Sequence, residues 1–209
     1  DSAAYKAAME RTARGPAKIV RDEGDPEKAF AGAAKKMSAE YYVPHLACAP
    51  MEPMVATAVA GDGQCEVWAP LQYPYGCRED LAKLLDLPIE KVTVHVTLLG
   101  GGFGRKSQSD YAQEAVLISK ALGGTPVKLN WTREDDIQHS FYHTVCFNRL
   151  EAALDGNGKV TGWLHRTVAP SLMSTFMPDP KYEHSLELAM GVVDVPFAIP
   201  NIRCENGEA

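Results

Sequence analysis

The stretch KVTVHVTLLGGGFGRKSQSDYAQEAVLISKAL, residues 91–122, decides the fold of this chain. Apolar and polar residues alternate through 91–98, which predicts a β-strand. Residues 108–122 carry apolar side chains at helical spacing and stop at Gly123-Gly124, which predicts a helix. The glycine-rich segment 100–106 must then be a loop that joins a strand to a helix.

The flanking sequence predicts a mixture of strands and helices. Gly61-Asp62-Gly63 and the run DGNG at 155–158 each separate two strand-like segments, which is typical of β-hairpins. Asp25-Pro26 predicts a helix start, because Asp caps helices well and Pro is tolerated at the first helical position. The predicted helices are 1–14, 26–36, 74–85, 108–122 and a short one that opens at 132; the predicted strands are 17–20, 37–46, 54–60, 64–69, 91–98, 127–131, 141–154, 159–169 and 201–204. With no regular βαβ repeat, the fold class is α+β, with mixed sheets and packed helices.

Three consecutive segments are expected along the chain. Residues 1–36 are predicted to form an N-terminal helical or linker segment, and residues 37–169 the main α+β portion. Residues 170–209 read as a Pro- and Met-rich excursion, with at most a short helix near 182–190, that leads into a last strand. Because the chain opens without Met in a helix-like pattern and ends just after a strand, we expect it to be a fragment of a longer protein.

Composition excludes several classes of protein. The 209 residues are 45% hydrophobic and 23% charged, with a net charge of −6, which argues against a nucleic-acid binder or a binder of anionic membranes. No stretch approaches the ~20 apolar residues that cross a bilayer, so no direct membrane span is expected. The five cysteines are widely spaced and include no C-x-x-C, so we expect free thiols rather than disulfides or a zinc site.

The glycine-rich loop predicts a site for an anion. Four glycines in the five residues 100–104 leave backbone N–H groups uncovered and permit positive φ angles. A helix N-terminus follows, and Arg105 and Lys106 add positive charges, so phosphate is the natural ligand. The dinucleotide pattern G-x-G-x-x-G fails here. The phosphate-loop pattern G-x-x-x-x-G-K-[ST] nearly fits, but Arg105 stands at its second glycine. A glycine-rich bend that lets strand and helix pack closely is the alternative without a ligand.

Three further segments accompany the loop in a fixed order. They are APMEP at 49–53, VWAPLQ at 67–72 and TPVKLNWTRED at 125–135. With GGGFGRK this set resembles the molybdopterin-binding large subunit of the xanthine oxidase and aldehyde oxidase family. The arginine in GGGFGRK and the PNIRCE-like ending are most similar to the isoquinoline 1-oxidoreductase β-subunit branch, also known as membrane-bound aldehyde dehydrogenase. The likeness runs over nearly the whole chain.

The resemblance implies a cofactor and the residues that hold it. The cofactor would be molybdopterin with molybdenum, in its plain form or as the cytosine dinucleotide, gripped largely by backbone amides. The amides of Phe103 and Gly104 would lie near the ligands of the metal, and Gln72 would hydrogen-bond a molybdenum oxygen ligand. The implied cofactor-binding residues are Gln72, Gly100, Gly101, Gly102, Phe103, Gly104 and Arg105. No residue of the chain is expected to ligate the metal directly.

The resemblance also implies a reaction and partners for the complete protein. An aldehyde or N-heterocycle would be hydroxylated with oxygen from water, and electrons would leave through an iron–sulfur small subunit, with cytochrome c as a candidate acceptor. The general base would be a glutamate outside this chain, so no catalytic residue is assigned; Asn206-Gly207-Glu208 lies too early in the order. Ser107 replaces an acidic residue that contacts purines in relatives, which disfavours a purine substrate. Relatives occur in the bacterial cytoplasm and periplasm, so the compartment stays open.

Several residues have a plainer interpretation. His139 and His143 could share a helix face, but no third metal ligand is spaced to join them, so we expect a helix end and a strand entry. Glu52 between two prolines is expected to be a paired structural carboxylate, and His45 and Cys48 to be packed side chains. Two other functions stay open: a free-standing nucleotide- or phosphate-binding domain with a deviant phosphate loop, and a remnant that binds no ligand of its own.

Overall fold

The computed structural model describes residues 1–178 and 180–209. Within them the chain forms six α-helices and nine strands. The helices are α1 Ser2–Arg14, α2 Pro26–Ala31, α3 Pro74–Leu85, α4 Asp110–Ala121, α5 Arg133–His139 and α6 Ser185–Leu188; the strands are β1 Lys18–Glu23, β2 Lys35–Val43, β3 Val55–Gly61, β4 Gln64–Ala69, β5 Val92–Val96, β6 Val127–Asn130, β7 Cys146–Leu154, β8 Val160–Val168 and β9 Ile202–Gly207. The mixture of helices with two mixed sheets confirms the α+β class.

The chain divides into two units, one formed by residues 1–46 with 143–209 and the other by residues 47–142. This division follows the packing of the chain, and the expected segments 1–36, 37–169 and 170–209 stay a prediction. Strand β2 pairs along its whole length with β7, so residues 37–43 belong with the later part of the chain. Likewise β9 pairs in parallel with β8, which ties the last strand to the same sheet. Pairing between distant segments therefore sets the division.

The first unit contains a five-stranded sheet in the order β1-β9-β8-β7-β2. Helix α1 packs on β7 and β8, and its Met9 and Ala13 are buried with Phe147 and Val168. The predicted hairpin at 155–158 joins β7 and β8. Where the structure describes the segment between β8 and β9, its helical elements are short: a 3-10 turn at Leu172–Thr175 and the four residues of α6, close to the short helix expected near 182–190.

The helix predicted over residues 26–36 is shorter than expected. Asp25 caps α2 through its side chain and Pro26 is the first helical residue, as the sequence indicated. The helix ends at Ala31, however, because Gly32 caps it and Lys35 already pairs with Leu154 in the sheet. Sheet pairing overrides the helical preference of the last residues.

The second unit is built on a four-stranded sheet in the order β5-β4-β3-β6. Strands β3 and β4 form the predicted hairpin, in which Asp62 and Gly63 have φ of 51° and 72°, as a tight type I′ turn requires. Helix α3 crosses between β4 and β5, which run parallel, and β6 runs antiparallel to β3. The carboxyl ends of β4, β5 and β6 and the amino end of β3 therefore share one edge of this sheet.

One face of this sheet is covered by α3 and α4. Small buried residues on β3 let α4 approach closely: Ala56, Ala58 and Ala60 are all at most 2% exposed. The buried Ser119 hydroxyl accepts the Ala60 N–H at 3.0 Å, so even this close contact leaves the amide satisfied. This packing fixes the strands whose ends carry the glycine-rich loop. In the described part of the chain, no helix is long and apolar enough to cross a membrane.

Candidate functional site

The four sequence motifs meet at one edge of the four-stranded sheet. The segment 49–53 precedes β3, the segment ending at Gln72 follows β4, and the glycine-rich loop follows β5. The TRED run follows β6, where Arg133 donates hydrogen bonds to the carbonyl oxygens of Pro50 and Met51. In open α/β sheets, ligands bind outside the carboxyl ends of the strands, so this edge is the candidate site.

The loop adopts the backbone conformation that its glycines permit. Gly101 and Gly104 have φ of 93° and 89°, and Phe103 between them has φ of 52°. The Phe103 side chain is 62% exposed, so nothing buries this strained residue. A short 3-10 turn, Arg105–Ser107, follows, and α4 begins only at Asp110. The sequence predicts a helix N-terminus close behind the glycines. In the structure the 3-10 turn separates the last glycine from the start of α4.

Several amides of the loop have no acceptor in the part of the chain that the structure describes. Among the described residues, the N–H groups of Gly101, Gly102 and Phe103 donate no hydrogen bond. Gly102 is nevertheless buried. A buried amide without a partner costs about 1–3 kcal/mol, so this arrangement is stable only when an acceptor or water satisfies it. The loop therefore offers a group of backbone donors to an electron-rich ligand.

Gln72 lies directly against the loop. The side-chain Oε1 accepts the Gly104 N–H at 3.0 Å, and the backbone N–H of Gln72 donates to the Lys106 carbonyl at 2.9 Å. A Cβ added at Gly102 would lie 2.3 Å from Oε1, so a side chain at this position would displace the Gln72 carboxamide. Because the amide N–H of Gly104 can only donate, the oxygen end of the carboxamide faces it. The Nε2 group donates to no acceptor among the described residues and is a further neutral donor.

Glu52 closes the other side of the loop. Its Oε2 accepts from the Gly100 N–H at 3.1 Å and from Lys106 Nζ at 2.6 Å. Burial alone would raise the pKa of this carboxyl, but the bonds from Lys106 and Gly100 outweigh burial and the pKa lies below its usual value. Glu52 is thus a paired structural carboxylate, as the sequence indicated.

The side chain of Arg105 is buried and fully engaged. Its guanidinium donates to both oxygens of Asp110, at 2.8 and 2.6 Å, and Nε donates to Ser140 Oγ at 2.8 Å. It also lies over the rings of Tyr111, Trp131 and Phe141, with centroid distances of 5.1–5.9 Å. The expectation that Arg105 and Lys106 bring two free charges to an anion is therefore corrected: each cation is paired with a carboxylate inside the protein.

A family model for the molybdopterin cofactor-binding domain matches residues 11–207. This chain belongs to that family. It is 38% identical over 151 residues to a membrane-bound aldehyde dehydrogenase [pyrroloquinoline-quinone] of Gluconacetobacter polyoxogenes, covering 72% of this chain and 19% of the relative. It is 34% identical over 132 residues to the isoquinoline 1-oxidoreductase β-subunit of Brevundimonas diminuta, covering 62% and 17%. The chain thus spans about a fifth of the length of these relatives.

Solved structures share the fold of the molybdopterin domain. The aldehyde oxidoreductase of Desulfovibrio gigas superposes with a TM-score of 0.72 at 20% identity, covering 92% of this chain and 22% of that one. Quinoline 2-oxidoreductase of Pseudomonas putida 86 gives a TM-score of 0.67 at 22% identity, with 92% and 25% covered. The family resemblance is confirmed, and the reading as a deviant phosphate loop finds no support. The Arg105 side chain at the second glycine of that pattern is 1% exposed and paired with Asp110.

The donors at the sheet edge fit a molybdopterin group. Such a group is anionic and rich in oxygen and sulfur, and the open amides of Gly101, Gly102 and Phe103 are neutral donors suited to it. The Nε2 group of Gln72 adds a donor without adding charge. The assignment of these residues, together with Gly100, Gly104 and Arg105, to cofactor binding stays a prediction.

Of the remaining candidates, His45 was expected to be a packed side chain but is exposed, with Nδ1 3.0 Å from the carbonyl oxygen of His143. The five cysteines are free thiols, as expected. Among the described residues, no cluster of three or more His, Cys, Asp or Glu side chains could hold a metal ion. His139 ends α5 and His143 pairs with Leu46 in an isolated bridge. Cys48 donates weakly to the carbonyl oxygen of Phe103, at 3.5 Å, and so packs under the loop.

Sequence reasoning missed how Arg133 connects the site. Its guanidinium joins the start of α5 to the carbonyl oxygens before β3 and to the buried carboxylate of Asp136. The signal available in the sequence was the capping pattern Thr132–Asp135, which the structure confirms as a capping box. That pattern places a helix start here but cannot show which distant carbonyl groups the arginine reaches.

Proposed function

We propose that this chain is the part of a molybdenum hydroxylase subunit that holds the molybdenum end of molybdopterin. The observation that carries the proposal is the set of open amides at Gly101, Gly102 and Phe103, beside Gln72, at the shared edge of the sheet. When bound, the cofactor would supply the two-electron oxidation of a C–H bond with oxygen from water. The relatives named above, an aldehyde dehydrogenase and an isoquinoline 1-oxidoreductase, support an aldehyde or N-heterocycle as the substrate of the complete protein.

The residues of this chain would bind and orient. The open amides would donate to the anionic group, and their fixed directions would set its position without any change in loop conformation. Gln72 would be held by Gly104 at its oxygen end, so that Nε2 stays directed as a donor. Glu52 and Arg105 would keep the arms of the loop in place from within the protein. The general base lies outside this chain in the proposal.

Partners complete the proposed assembly. The other relatives include subunits by name, among them the molybdenum-binding subunit of an aldehyde oxidoreductase of Escherichia coli (strain K12), 32% identical over 154 residues, covering 73% of this chain and 21% of the relative. We therefore propose that the chain works inside a large subunit, with an iron–sulfur small subunit to accept electrons and cytochrome c as a candidate final acceptor. The cytosine dinucleotide is the proposed extended form of the cofactor.

The test begins with the subunit purified at its natural length. Elemental analysis and the fluorescence of the oxidised pterin should give about one molybdenum and one pterin per chain. Aldehydes and N-heterocycles should be oxidised with a dye acceptor, and product formed in H₂¹⁸O should carry the heavy oxygen. A protein without molybdenum and pterin would overturn the proposal.

A matched pair of variants tests the site itself. Gln72 follows β4, whereas Gln64 begins the same strand at the opposite edge of the sheet. Gln72→Ala should lower the turnover rate at least tenfold, because a donor to the cofactor is lost. Gln64→Ala should leave the rate unchanged. Equal rates in the two variants would contradict the assignment of Gln72.

A further inference from the structure

The two ends of the glycine-rich loop meet at a single carboxylate oxygen. Glu52 Oε2 accepts from Gly100, where the loop begins, and from Lys106, which follows the last glycine. The Glu52 N–H also donates to the Gly100 carbonyl at 3.1 Å, so main chain and side chain both hold the first residue. A Cβ at Gly100 would lie 2.6 Å from the Glu52 Cβ, so this close approach requires glycine. We call this arrangement the Glu52 clasp.

The clasp also removes charge from the loop. The Lys106 side chain is 0% exposed, and within the described residues its ammonium donates only to Glu52. A buried cation needs a partner, and the Glu52 carboxylate 2.6 Å away is that partner. Since Arg105 is paired with Asp110 in the same way, the loop has neither a free cation nor a free carboxylate beside its open amides.

We propose that the Glu52–Lys106 pair is a positioning device for the cofactor. It sets the spacing between the two arms of the loop and cancels the charge there, so that backbone amides alone attract the anionic pterin group. The inference rests on the proposed function. Neither residue is catalytic in this account, because both act through the amides they hold in place rather than on the substrate.

The proposal predicts an asymmetry between single and double variants. Lys106→Met leaves the Glu52 carboxylate unpaired beside the amides, where it repels an anion. Adding Glu52→Gln removes that charge, and the new amide oxygen can still accept the Gly100 N–H. Because the Lys106 side chain is buried, replacing both members of the pair is also far less disruptive than removing one. The double variant should therefore recover what the single variant loses.

The experiment uses the subunit at its natural length, with the exposed pair Arg14–Glu40 as control. Molybdenum and pterin per chain are measured after dialysis, and hydrogen exchange is followed in the peptide covering 99–107. Lys106→Met should retain at least tenfold less molybdenum than the parent, and its loop amides should exchange hydrogen faster. The double variant Glu52→Gln with Lys106→Met should retain molybdenum to within threefold of the parent. Arg14→Met should match the parent in retained molybdenum and in hydrogen exchange. Lys106→Gln, whose amide still donates to Glu52, serves if Lys106→Met does not fold.

The outcomes separate this inference from the proposed function. Lys106→Met with the parent's metal content would overturn the clasp, as would a double variant that melts like the parent yet retains no more metal than the single variant. A parent without molybdenum would overturn the proposed function instead. In that case hydrogen exchange still decides: unchanged exchange in the 99–107 peptide of Lys106→Met would overturn the clasp as well.

Discussion

Gly102→Ala gives the sharpest test of how Gln72 and the loop depend on each other. The φ of Gly102 lies outside the positive range, so alanine meets no backbone strain there. Its Cβ would instead lie 2.3 Å from Gln72 Oε1 and 2.7 Å from Cδ, a distance that no side chain tolerates. The carboxamide must swing away, and the Gly104 N–H then loses its acceptor.

The expected magnitude follows from that lost hydrogen bond. A net contribution of about 1 kcal/mol corresponds to roughly fivefold faster hydrogen exchange in the loop. The assay is hydrogen exchange by mass spectrometry on the peptide covering 99–107. Gly156→Ala is the matched control, because that glycine also lacks a positive φ and nothing lies within 4 Å of an added Cβ.

A double-mutant cycle decides whether the clash is the cause. With Gln72→Ala already present, Gly102→Ala has nothing to displace and should add no further effect, which gives a coupling of about 1 kcal/mol. If Gly102→Ala accelerates exchange equally in both backgrounds, the reasoning about Gln72 is refuted. If it leaves exchange unchanged in the parent, the close approach itself is refuted.

Three further predictions concern buried groups. Arg105→Lys cannot keep both bonds to Asp110, so the unfolding free energy should fall by about 2–4 kcal/mol in denaturant titration. Burial raises the pKa of Glu183 from 4.5 to about 7, so its stabilising effect is complete below about pH 4.5 and is lost as pH rises through 7. The melting temperature should therefore decline between pH 5 and 7.5, and Glu183→Gln should flatten that decline. Cys77 is buried and burial raises its pKa to about 12, so iodoacetamide should label the partly exposed Cys48 in the native protein and Cys77 only after unfolding.

Each of these predictions has a contrary result. Arg149→Lys, on a partly exposed ion pair, is the control for Arg105, and equal losses in the two variants would show that burial is not the cause. If the melting temperature rises between pH 5 and 7.5 in the parent and rises equally in Glu183→Gln, then Glu183 does not control the pH dependence of stability. Native labelling of Cys77 as fast as of Cys48 would show that α3, on which Cys77 lies, separates readily from the core.

Local pattern predicted most elements of the fold. The alternation through 91–98, the turn at Asp62-Gly63 and the helical spacing of 74–85 each arise from neighbouring residues, and each element was found. The two-unit division could not be predicted in this way, because it depends on β2 pairing with β7 across more than a hundred residues. The helix predicted after Pro26 was too long for the same reason. Its end depends on the pairing of Lys35 with a distant strand, which the local sequence does not show.

The candidate site was predictable in its residue types and less so in its electrostatics. The glycines and Gln72 were identified as one site, and Glu52 as a paired carboxylate. The sequence could not show that Lys106 and Arg105 point to Glu52 and Asp110, because burial depends on how four separate segments converge. Adjacent lysine and arginine beside glycines indicate an anion site in general, but tertiary structure decides whether their charge is available.

The strand directions in the four-stranded sheet have a practical consequence for engineering. The residues discussed as a site lie at one edge of the sheet, and the Asp62-Gly63 turn lies at the opposite edge, at the other end of the same strands. An added Cβ at Gly63 would have no atom within 4 Å, so the turn faces open space. A fluorophore or affinity sequence inserted at this turn would give a handle for following maturation of the protein while the glycine-rich loop keeps its native surroundings.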